Sequence, residues 1–410
     1  MSGAVLKILL VIYLLIPSLL FAENEPIILG MSAAFKGPTR GLGIELYRGA
    51  MAYFEYINNN GGINGRKILI QAYDDGYNPI PAIKNTIKLM EEDNVFALFN
   101  YVGTPTVTRV LPILKSNSDR HFYLFFPFTG AMPHRKPPYD EFVFNLRASY
   151  EQETGGLVEN FIKIGRKKIG IFYQADAYGR SGWDGVRKTL AKYNGKIVAE
   201  ATYKRGAKYS DSFVKQVQIL KNAGVDAIIS VGAYAACAAF IRDARNMDWD
   251  VPIANVSFVG SEFMINLLLD EEKKTGRVYT KNLINSQVVP SYEDTSLPAV
   301  RQYRELMDRY NPMPPEDLME KDYKVLRYSF VSFEGFLNAK VMVEILKKMG
   351  SEIKRENIKN AVETLKNIDI GIDERISFSK KKHQALDRVY YTTYKNGKFV
   401  PIRDWSEWKK

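Results

Sequence analysis

Short apolar runs alternate with amphipathic stretches along the first third of the chain. The runs at residues 26–34, 95–99 and 122–126 have the length and the side chains of buried strands in a parallel sheet. Between them, the pattern predicts helices at residues 40–60 and 79–92 and an alternating strand at residues 67–73. Strands that alternate with helices in this way indicate an α/β fold with a parallel sheet and right-handed crossovers.

The same alternation starts again near residue 150 and indicates a second α/β unit of similar size. It predicts helices at residues 151–164, 182–193, 212–223 and 236–247, and strands at residues 168–173, 197–203, 227–231 and 253–259. A long helix at residues 328–348 carries an apolar face, and we expect it to return to the first unit. Residues 388–400 alternate like an antiparallel hairpin around Asn396 and Gly397.

The chain is therefore predicted to form two similar lobes and to cross between them more than once. The expected crossings lie near residues 147–149, 285–290 and 376–388. A cleft between two lobes on short connections is a common ligand site, and such lobes can close over a ligand.

The turn after residues 95–99 is the most informative stretch for function. Thr104 can cap a helix with its hydroxyl, and Pro105 suits the first helical position because it lacks an N–H. A strand that leads into a helix N-terminus leaves free backbone N–H groups and the positive end of the helix dipole facing a crevice. We expect this turn to hold a small anion, such as a carboxylate or a phosphate.

The N-terminal residues have the pattern of a secretory signal. Lys7 precedes an apolar run that Pro17 interrupts, and we predict a signal peptide at residues 1–22 with cleavage after Ala22. A retained membrane anchor is the alternative, but the run is short for a membrane span. Cys237 is the only cysteine, so we expect no disulfide and no lipid attached at the cleavage point. These features favour an exported protein of a bacterial periplasm that is not a lipoprotein.

Charge and the scarcity of reactive side chains exclude several functions. The net charge is +11, but the basic runs are short and lie at predicted turns, so we expect no nucleic-acid partner. The three histidines, His121, His134 and His383, lack metal-ligand spacing, and no nucleophile or phosphate-loop motif is present. We therefore expect neither an enzyme nor a cofactor.

Several short motifs follow one another along the chain: Gly61-Gly-Ile-Asn-Gly-Arg-Lys67, Tyr73-Asp-Asp-Gly76, Pro127-Phe-Thr-Gly130, Asn145-Leu-Arg-Ala-Ser-Tyr150, Asp176-Ala-Tyr-Gly-Arg180 and Ser332-Phe-Glu-Gly335. With them, residues 26–400 resemble the type I periplasmic solute-binding proteins of the branched-chain amino acid (Leu/Ile/Val-binding) family, which serve ABC importers. The resemblance implies an α/β fold of two Rossmann-like lobes with parallel sheets, joined by a three-segment hinge. Residues 23–147 with 288–375 would form lobe I, and residues 148–287 with 376–410 lobe II.

The family resemblance also implies a set of site residues and partners. A small-molecule ligand, an amino acid or a related organic acid, would bind in the cleft, and an ABC permease of the inner membrane would receive it. Loop residues at two helix N-termini would hold the ligand carboxylate: Gly103, Thr104 and Thr106, then Phe128, Thr129 and Gly130. Leu42 would lie near the cleft, and Tyr178 and Tyr234 would line it from the second lobe.

One position departs from the amino-acid binders of this family. Their second lobe supplies an acid for the ligand ammonium, and Ser257 best matches that position here, while Glu262 is out of register and Asp176 is another acid nearby. A buried ammonium needs such a partner, so a carboxylate without an ammonium, or a neutral amide, stays open beside an α-amino acid. The other functions considered are a periplasmic ligand sensor that presents its bound state to a membrane receptor, and an α/β enzyme.

Overall fold

Five parallel strands form the first sheet of the protein. The computed structural model describes residues 24–410, so the predicted signal peptide lies outside the described residues. The strand order is β2-β1-β3-β4-β5, and every neighbouring pair is parallel. The strands are β1 (Asn24–Ala33), β2 (Arg66–Asp74), β3 (Ala97–Phe99), β4 (Leu124–Phe125) and β5 (Val143–Phe144).

A second sheet of seven strands follows the order β12-β11-β10-β9-β8-β6-β7. Its strands are β6 (Ile169–Gln174), β7 (Glu200–Tyr203), β8 (Ala227–Val231), β9 (Ile253–Asn255), β10 (Leu283–Gln287), β11 (Tyr390–Lys395) and β12 (Lys398–Pro401). β11 and β12 are antiparallel and the rest are parallel. Asn396 and Gly397 turn the hairpin with positive φ, as predicted.

Helices connect the strands and cover the sheets. They are α1 (Arg40–Asn59), α2 (Pro79–Glu91), α3 (Thr104–Ser116), α4 (Tyr150–Lys163), α5 (Ala177–Lys192), α6 (Val214–Asn222), α7 (Tyr234–Asn246), α8 (Ser261–Thr275), α9 (Pro298–Tyr310), α10 (Phe330–Met349) and α11 (Arg355–Glu363). Within residues 24–410, no helix has the length and apolar character needed to cross a membrane.

The long helix α10 packs against α1 of the first unit, which confirms its predicted return. Two glycines allow the close approach. A Cβ added at Gly49 would lie 1.7 Å from the carbonyl oxygen of Ser332, and one at Gly335 would lie 2.2 Å from that of Leu46. The two helix backbones are therefore in direct contact.

The chain passes between the two units three times, after β5, after β10 and before β11. Two mostly parallel sheets joined by three crossings confirm the predicted fold class. In the sequence, each crossing falls where apolar periodicity is interrupted by polar residues. The sheets meet near the carboxyl ends of their parallel strands, where ligands of α/β proteins commonly bind.

Some local predictions are wrong. Gly103 is the N-cap residue of α3, and Thr104 is the first helical residue, because a φ of 102° at Gly103 makes the sharp turn. β9 ends at Asn255, and Ser257–Val259 form a 3₁₀ turn instead of more strand. α5 begins at Ala177 and not at residue 182, because the Asp176 carboxylate caps it by accepting a hydrogen bond from the Tyr178 amide.

Candidate functional site

Two loops of the first unit lie side by side at the N-terminus of α3. The Gly103 amide donates to the Phe128 carbonyl at 3.2 Å, and the Phe128 amide donates to the Tyr101 carbonyl at 2.7 Å. The Thr104 and Thr129 hydroxyls are hydrogen-bonded to each other at 2.7 Å, and both side chains are fully buried. These bonds place a helix N-terminus, two hydroxyls and the Gly130 amide in one small region.

Thr106 and Gly130 support this region in different ways. The Thr106 hydroxyl donates to the Gly103 carbonyl at 2.8 Å and also to the Val102 carbonyl, so it stabilises the turn itself. Gly130 accepts a hydrogen bond from the Tyr150 amide at 2.7 Å. A Cβ at position 130 would lie 2.6 Å from that amide nitrogen, so only glycine fits without a shift of α4.

Aromatic rings from both units enclose the paired loops. The Phe258 ring lies 5.4 Å from Phe128, 4.6 Å from Tyr178 and 5.8 Å from Tyr77, measured between centroids. The Tyr178 ring lies 5.2 Å from Tyr150, and its hydroxyl donates to the Gly232 carbonyl at 3.0 Å. All five rings are almost fully buried, and they form an apolar wall around the polar loops.

Leu42 and Tyr234 lie in another part of the interface between the two units. Leu42 is buried beside Gly260, where an added Cβ would meet its Cδ2 at 2.9 Å. The Tyr234 hydroxyl accepts a hydrogen bond from the Gly41 amide at 3.4 Å, and its ring lies 4.9 Å from Phe263. Burial raises the pKa of Tyr234 to about 12.

Tyr234 also lines a cavity of about 640 Å³ that opens between the units. Arg40, Phe263 and Tyr323 are among its other lining residues. Of the predicted site residues, Tyr234 thus borders this cavity, whereas Tyr178 packs against the rings near Thr104 and Thr129.

Ser257 is bound to a buried acid of α4. Its amide donates to Glu153 Oε2 at 2.8 Å and its hydroxyl to Glu153 Oε1 at 2.9 Å, and Ser286 donates to the same carboxylate at 2.6 Å. The sequence pointed to Ser257 as a position without an acid. The structure supplies one from another element.

The two acids weighed from the sequence have other contacts. Glu262 accepts a hydrogen bond from the Phe330 amide at 3.0 Å, at the start of α10, and burial raises its pKa to about 7. Asp176 caps α5 and forms an ion pair with Arg205 at 3.5 Å. Burial raises the pKa of Asp176 as well.

Arg147 is a central residue that the residue pattern did not single out. Its guanidinium is buried between Glu153, at 3.5 Å, and Glu334, at 3.6 Å. It lies over the Phe128 ring, 4.6 Å from the centroid, and donates a hydrogen bond to the Ser257 hydroxyl. Burial would lower the pKa of Arg147, but the charges of Glu334 and Glu153 outweigh it and raise that pKa overall.

Glu334 and Tyr150 complete the buried polar group. Burial raises the pKa of Glu334 to about 7 and that of Tyr150 to about 12. Arg147 and Tyr150 occur in one of the shared motifs, and Glu334 in another, but only the fold brings them together. Their presence in motifs that carry the family resemblance is the one signal by which the sequence could have identified these three residues.

Arg135 connects the Thr129 loop to the first crossing. Its guanidinium donates to the Thr129 carbonyl at 3.3 Å, the Ala131 carbonyl at 3.2 Å and the Arg147 carbonyl at 3.2 Å. It also bonds Gln384 in the third crossing. The position of the Thr129 loop is therefore linked to two hinge segments. Across the described range 24–410, no group of three His, Cys, Asp or Glu side chains could hold a metal ion.

Similarity to known proteins identifies the class. A model of the periplasmic binding protein family matches residues 26–398, so the chain belongs to that family. Within it, the chain is a type I periplasmic binding protein of the branched-chain amino acid (Leu/Ile/Val-binding) family, as the following relatives indicate. These relatives are binding proteins, so the chain is a ligand-binding protein and not an enzyme.

The relatives agree with one another. An amino acid binding protein of Pseudomonas aeruginosa is 23% identical over 53% of this chain, which spans 57% of that protein. The Leu/Ile/Val-binding protein of Escherichia coli is 23% identical over 63% of this chain and 68% of its own length. A possible leucine/isoleucine/valine-binding protein of Rhodopirellula baltica has a crystal structure with a TM-score of 0.83 and 30% identity, covering 95% of this chain and 99% of its own.

Proposed function

We propose that this protein captures a small carboxylate-bearing ligand between its lobes and delivers it to an ABC importer of the inner membrane. The observation that carries the proposal is the pair of buried loops at the N-terminus of α3. There the Thr104 and Thr129 hydroxyls and the Gly130 amide lie in one region, next to the positive end of a helix dipole. Such a region binds a carboxylate without needing a charged side chain.

The lobes of this proposal are residues 23–147 with 288–375 and residues 148–287 with 376–410. The protein would be exported by cleavage of a signal peptide after Ala22 and would carry no lipid. Thr104, Thr129 and Gly130 would bind the carboxylate, while Gly103 and Thr106 would hold the turn beside it. Leu42, Phe128, Tyr178, Tyr234 and Ser257 would border the rest of the ligand, and closure of the lobes would present the loaded form to the permease.

Thermal unfolding of the mature protein tests ligand capture. A ligand that binds only the folded state stabilises it by about 2.7 kcal/mol at a concentration near one hundred times its Kd, so it raises the Tm. The compounds to compare are amino acids, aliphatic and aromatic acids, and amides. A raised Tm confirmed by calorimetry supports ligand capture, and no shift with any compound would contradict it.

Uptake measurements test delivery. Cells that lack the gene for this protein should lose high-affinity uptake of the ligand found above, and the wild-type gene should restore it. A Thr104→Val gene should restore less uptake at low ligand concentration. Normal uptake in the deleted cells would reject delivery to an importer while leaving ligand capture intact.

A further inference from the structure

Arg147 lies beside Ser257, the position that the family resemblance matches to the partner of a ligand ammonium. In the amino-acid binders that the sequence resembles, the position matched by Ser257 supplies an acid. Here the Ser257 hydroxyl accepts a hydrogen bond from the Arg147 guanidinium and donates one to Glu153 at 2.9 Å. A cation of the chain itself therefore occupies the space next to this acid.

The Arg147 guanidinium is surrounded by groups that bind cations. Carboxylates lie on two sides, Glu153 at 3.5 Å and Glu334 at 3.6 Å. The rings of Phe128 and Tyr150 face the guanidinium carbon from 4.6 Å and 5.8 Å. A ligand ammonium in this region would lie close to a buried guanidinium, and like charges in a medium of low dielectric constant repel strongly.

Buried hydrogen-bond donors in the same region are unused. Within residues 24–410, Nε and Nη1 of Arg147 have no hydrogen-bond partner, although Nη1 lies 3.6 Å from Glu334 in the ion pair. Nor does the fully buried Tyr150 hydroxyl find one of good geometry in that range, although Thr129 and Gly130 lie near it and moderate its pKa. A buried donor without a partner destabilises the protein, so a ligand that brings acceptor oxygens is favoured here.

Both acids beside Arg147 already have partners within the chain. Glu153 is already bonded to Ser257 and Ser286. The only ion pair of Glu334 within the described part of the chain is the one with Arg147. Because burial raises the pKa of Glu334 to about 7, this carboxyl can hold a proton near neutral pH, and an anionic ligand need not face two ionised acids.

We propose that Arg147 takes the place of a ligand ammonium, so that the ligand is a carboxylic acid without an α-amino group. Its carboxylate would meet the Thr104 and Thr129 loops, and its body would lie among the rings of Phe128, Tyr178 and Phe258. An aromatic or branched aliphatic body would supply the apolar contacts that such rings favour. This inference rests on the proposed function and names the substrate class of the same site.

Matched sets of compounds test the inference on the wild-type protein. Each set holds one hydrocarbon body and changes only its polar group: hydrocinnamate, phenylalanine and phenethylamine, then isocaproate, leucine and isoamylamine. Calorimetry should show that in at least one set the acid binds about tenfold or more tighter than the amino acid, and that the amine does not bind.

The other outcomes are distinct from one another. An amino acid that binds as tightly as its deaminated acid, or tighter, would overturn the inference and leave the proposed function intact. Binding of amides or amines without binding of carboxylic acids would overturn the inference and also the carboxylate-bearing ligand of the proposed function, while capture of a small ligand would stand. If no compound of these sets or of the wider thermal screen binds, both the inference and the proposed function fail.

A substitution at Arg147 tests whether this residue selects the ligand or only stabilises the fold. A purely structural role would not change the preference for an acid over its amino acid. In Arg147→Met, Glu153 and Glu334 lose their cation, so the preference for hydrocinnamate over phenylalanine should fall about tenfold or more. Arg187→Met is the matched control, because Arg187 is half exposed and pairs with Asp184 on the surface of α5. It should leave the preference unchanged.

Arg147→Lys covers the case in which the methionine variant does not fold. Lysine keeps the positive charge but lacks the second donor of the guanidinium fork. The preference for the acid over the amino acid should persist, while the affinity for the acid falls. If both affinities remain at their wild-type values in the folded variants, Arg147 does not contact the ligand and the inference is wrong.

Discussion

Two threonine hydroxyls connect the loops of the candidate site. Thr104 and Thr129 are 25 residues apart, and their hydroxyls bond at 2.7 Å. The Thr129 hydroxyl also accepts a hydrogen bond from the Ala131 amide at 3.3 Å, so it has a structural partner of its own. Thr104 is therefore the better residue at which to separate ligand binding from folding.

Replacing Thr104 with valine should weaken ligand binding about fivefold to tenfold, the equivalent of roughly 1 kcal/mol, because valine has the same shape but offers no hydroxyl. Calorimetry with the ligand found in the thermal screen measures the change. Thr108→Val is the matched control, since among residues 24–410 the Thr108 hydroxyl bonds only the Thr104 and Pro105 carbonyls of the same helix. Equal affinity in the wild type and Thr104→Val would remove Thr104 from the site.

Single residues were predictable where one local segment determines their surroundings. The turn at Gly103 and Thr104 follows from a buried run, a glycine and a proline that are adjacent in sequence. The group formed by Arg147, Glu153 and Glu334 does not, because α10 joins it from 187 positions beyond Arg147. These three charged residues come together only where the two units meet. No local sequence pattern therefore predicts the group.

At the scale of elements, apolar periodicity located most of the strands and helices. It failed where other interactions determine an end or a whole element. Glycines at 179, 182 and 185 weaken the helical pattern of α5, and its start depends on the Asp176 cap. Five elements were not predicted at all: the strands β5 and β10 and the helices α8, α9 and α11.

The turn from β3 into α3 requires glycine for two separable reasons, a positive φ and a close neighbour. Gly103 has a φ of 102°, and an added Cβ would lie 2.2 Å from Cε2 of Tyr77. Gly103→Ala should therefore destabilise the protein and displace Tyr77 from the rings around the site, with a large loss of ligand affinity. Thermal unfolding and calorimetry measure the two effects.

Gly61→Ala is the control for that element. Gly61 has a φ of 96°, and no atom of the described chain lies within 4 Å of its added Cβ, so only backbone strain is introduced. We expect a lower Tm with unchanged ligand affinity. A similar loss of affinity in both variants would show that general destabilisation, and not the contact with Tyr77, explains the result at Gly103.

At the scale of the whole molecule, the two units are held together by polar and aromatic contacts. Gln174 of β6 donates to the Tyr77 hydroxyl at 3.2 Å, and the Phe258 ring packs between Tyr77 and Phe128. Which lobe residues meet in this way depends on how the hinge segments set the closing angle. The sequence predicts that the lobes exist and roughly where the chain crosses, but not their contacts.

Glu262 joins the units where α8 meets the start of α10, and it makes stability depend on pH. Its folded-state pKa, about 7, lies above the ordinary value of 4.5, so the folded protein holds this proton more tightly than the unfolded chain. The stabilisation is complete below about pH 4.5 and is lost as the pH rises through about 7. A shift of this size corresponds to roughly 3 kcal/mol.

Glu262→Gln should therefore be more stable than the wild type at about pH 8 and should lose that advantage at about pH 5. The glutamine carbonyl can still accept the hydrogen bond of the Phe330 amide, so the contact between α8 and α10 is kept. Urea unfolding at both pH values gives the difference. Glu305→Gln, a change at an exposed ion pair of α9, should follow the wild type at each pH. If Glu262→Gln also follows the wild type, the proton held at this junction does not control the stability of the two-lobed molecule.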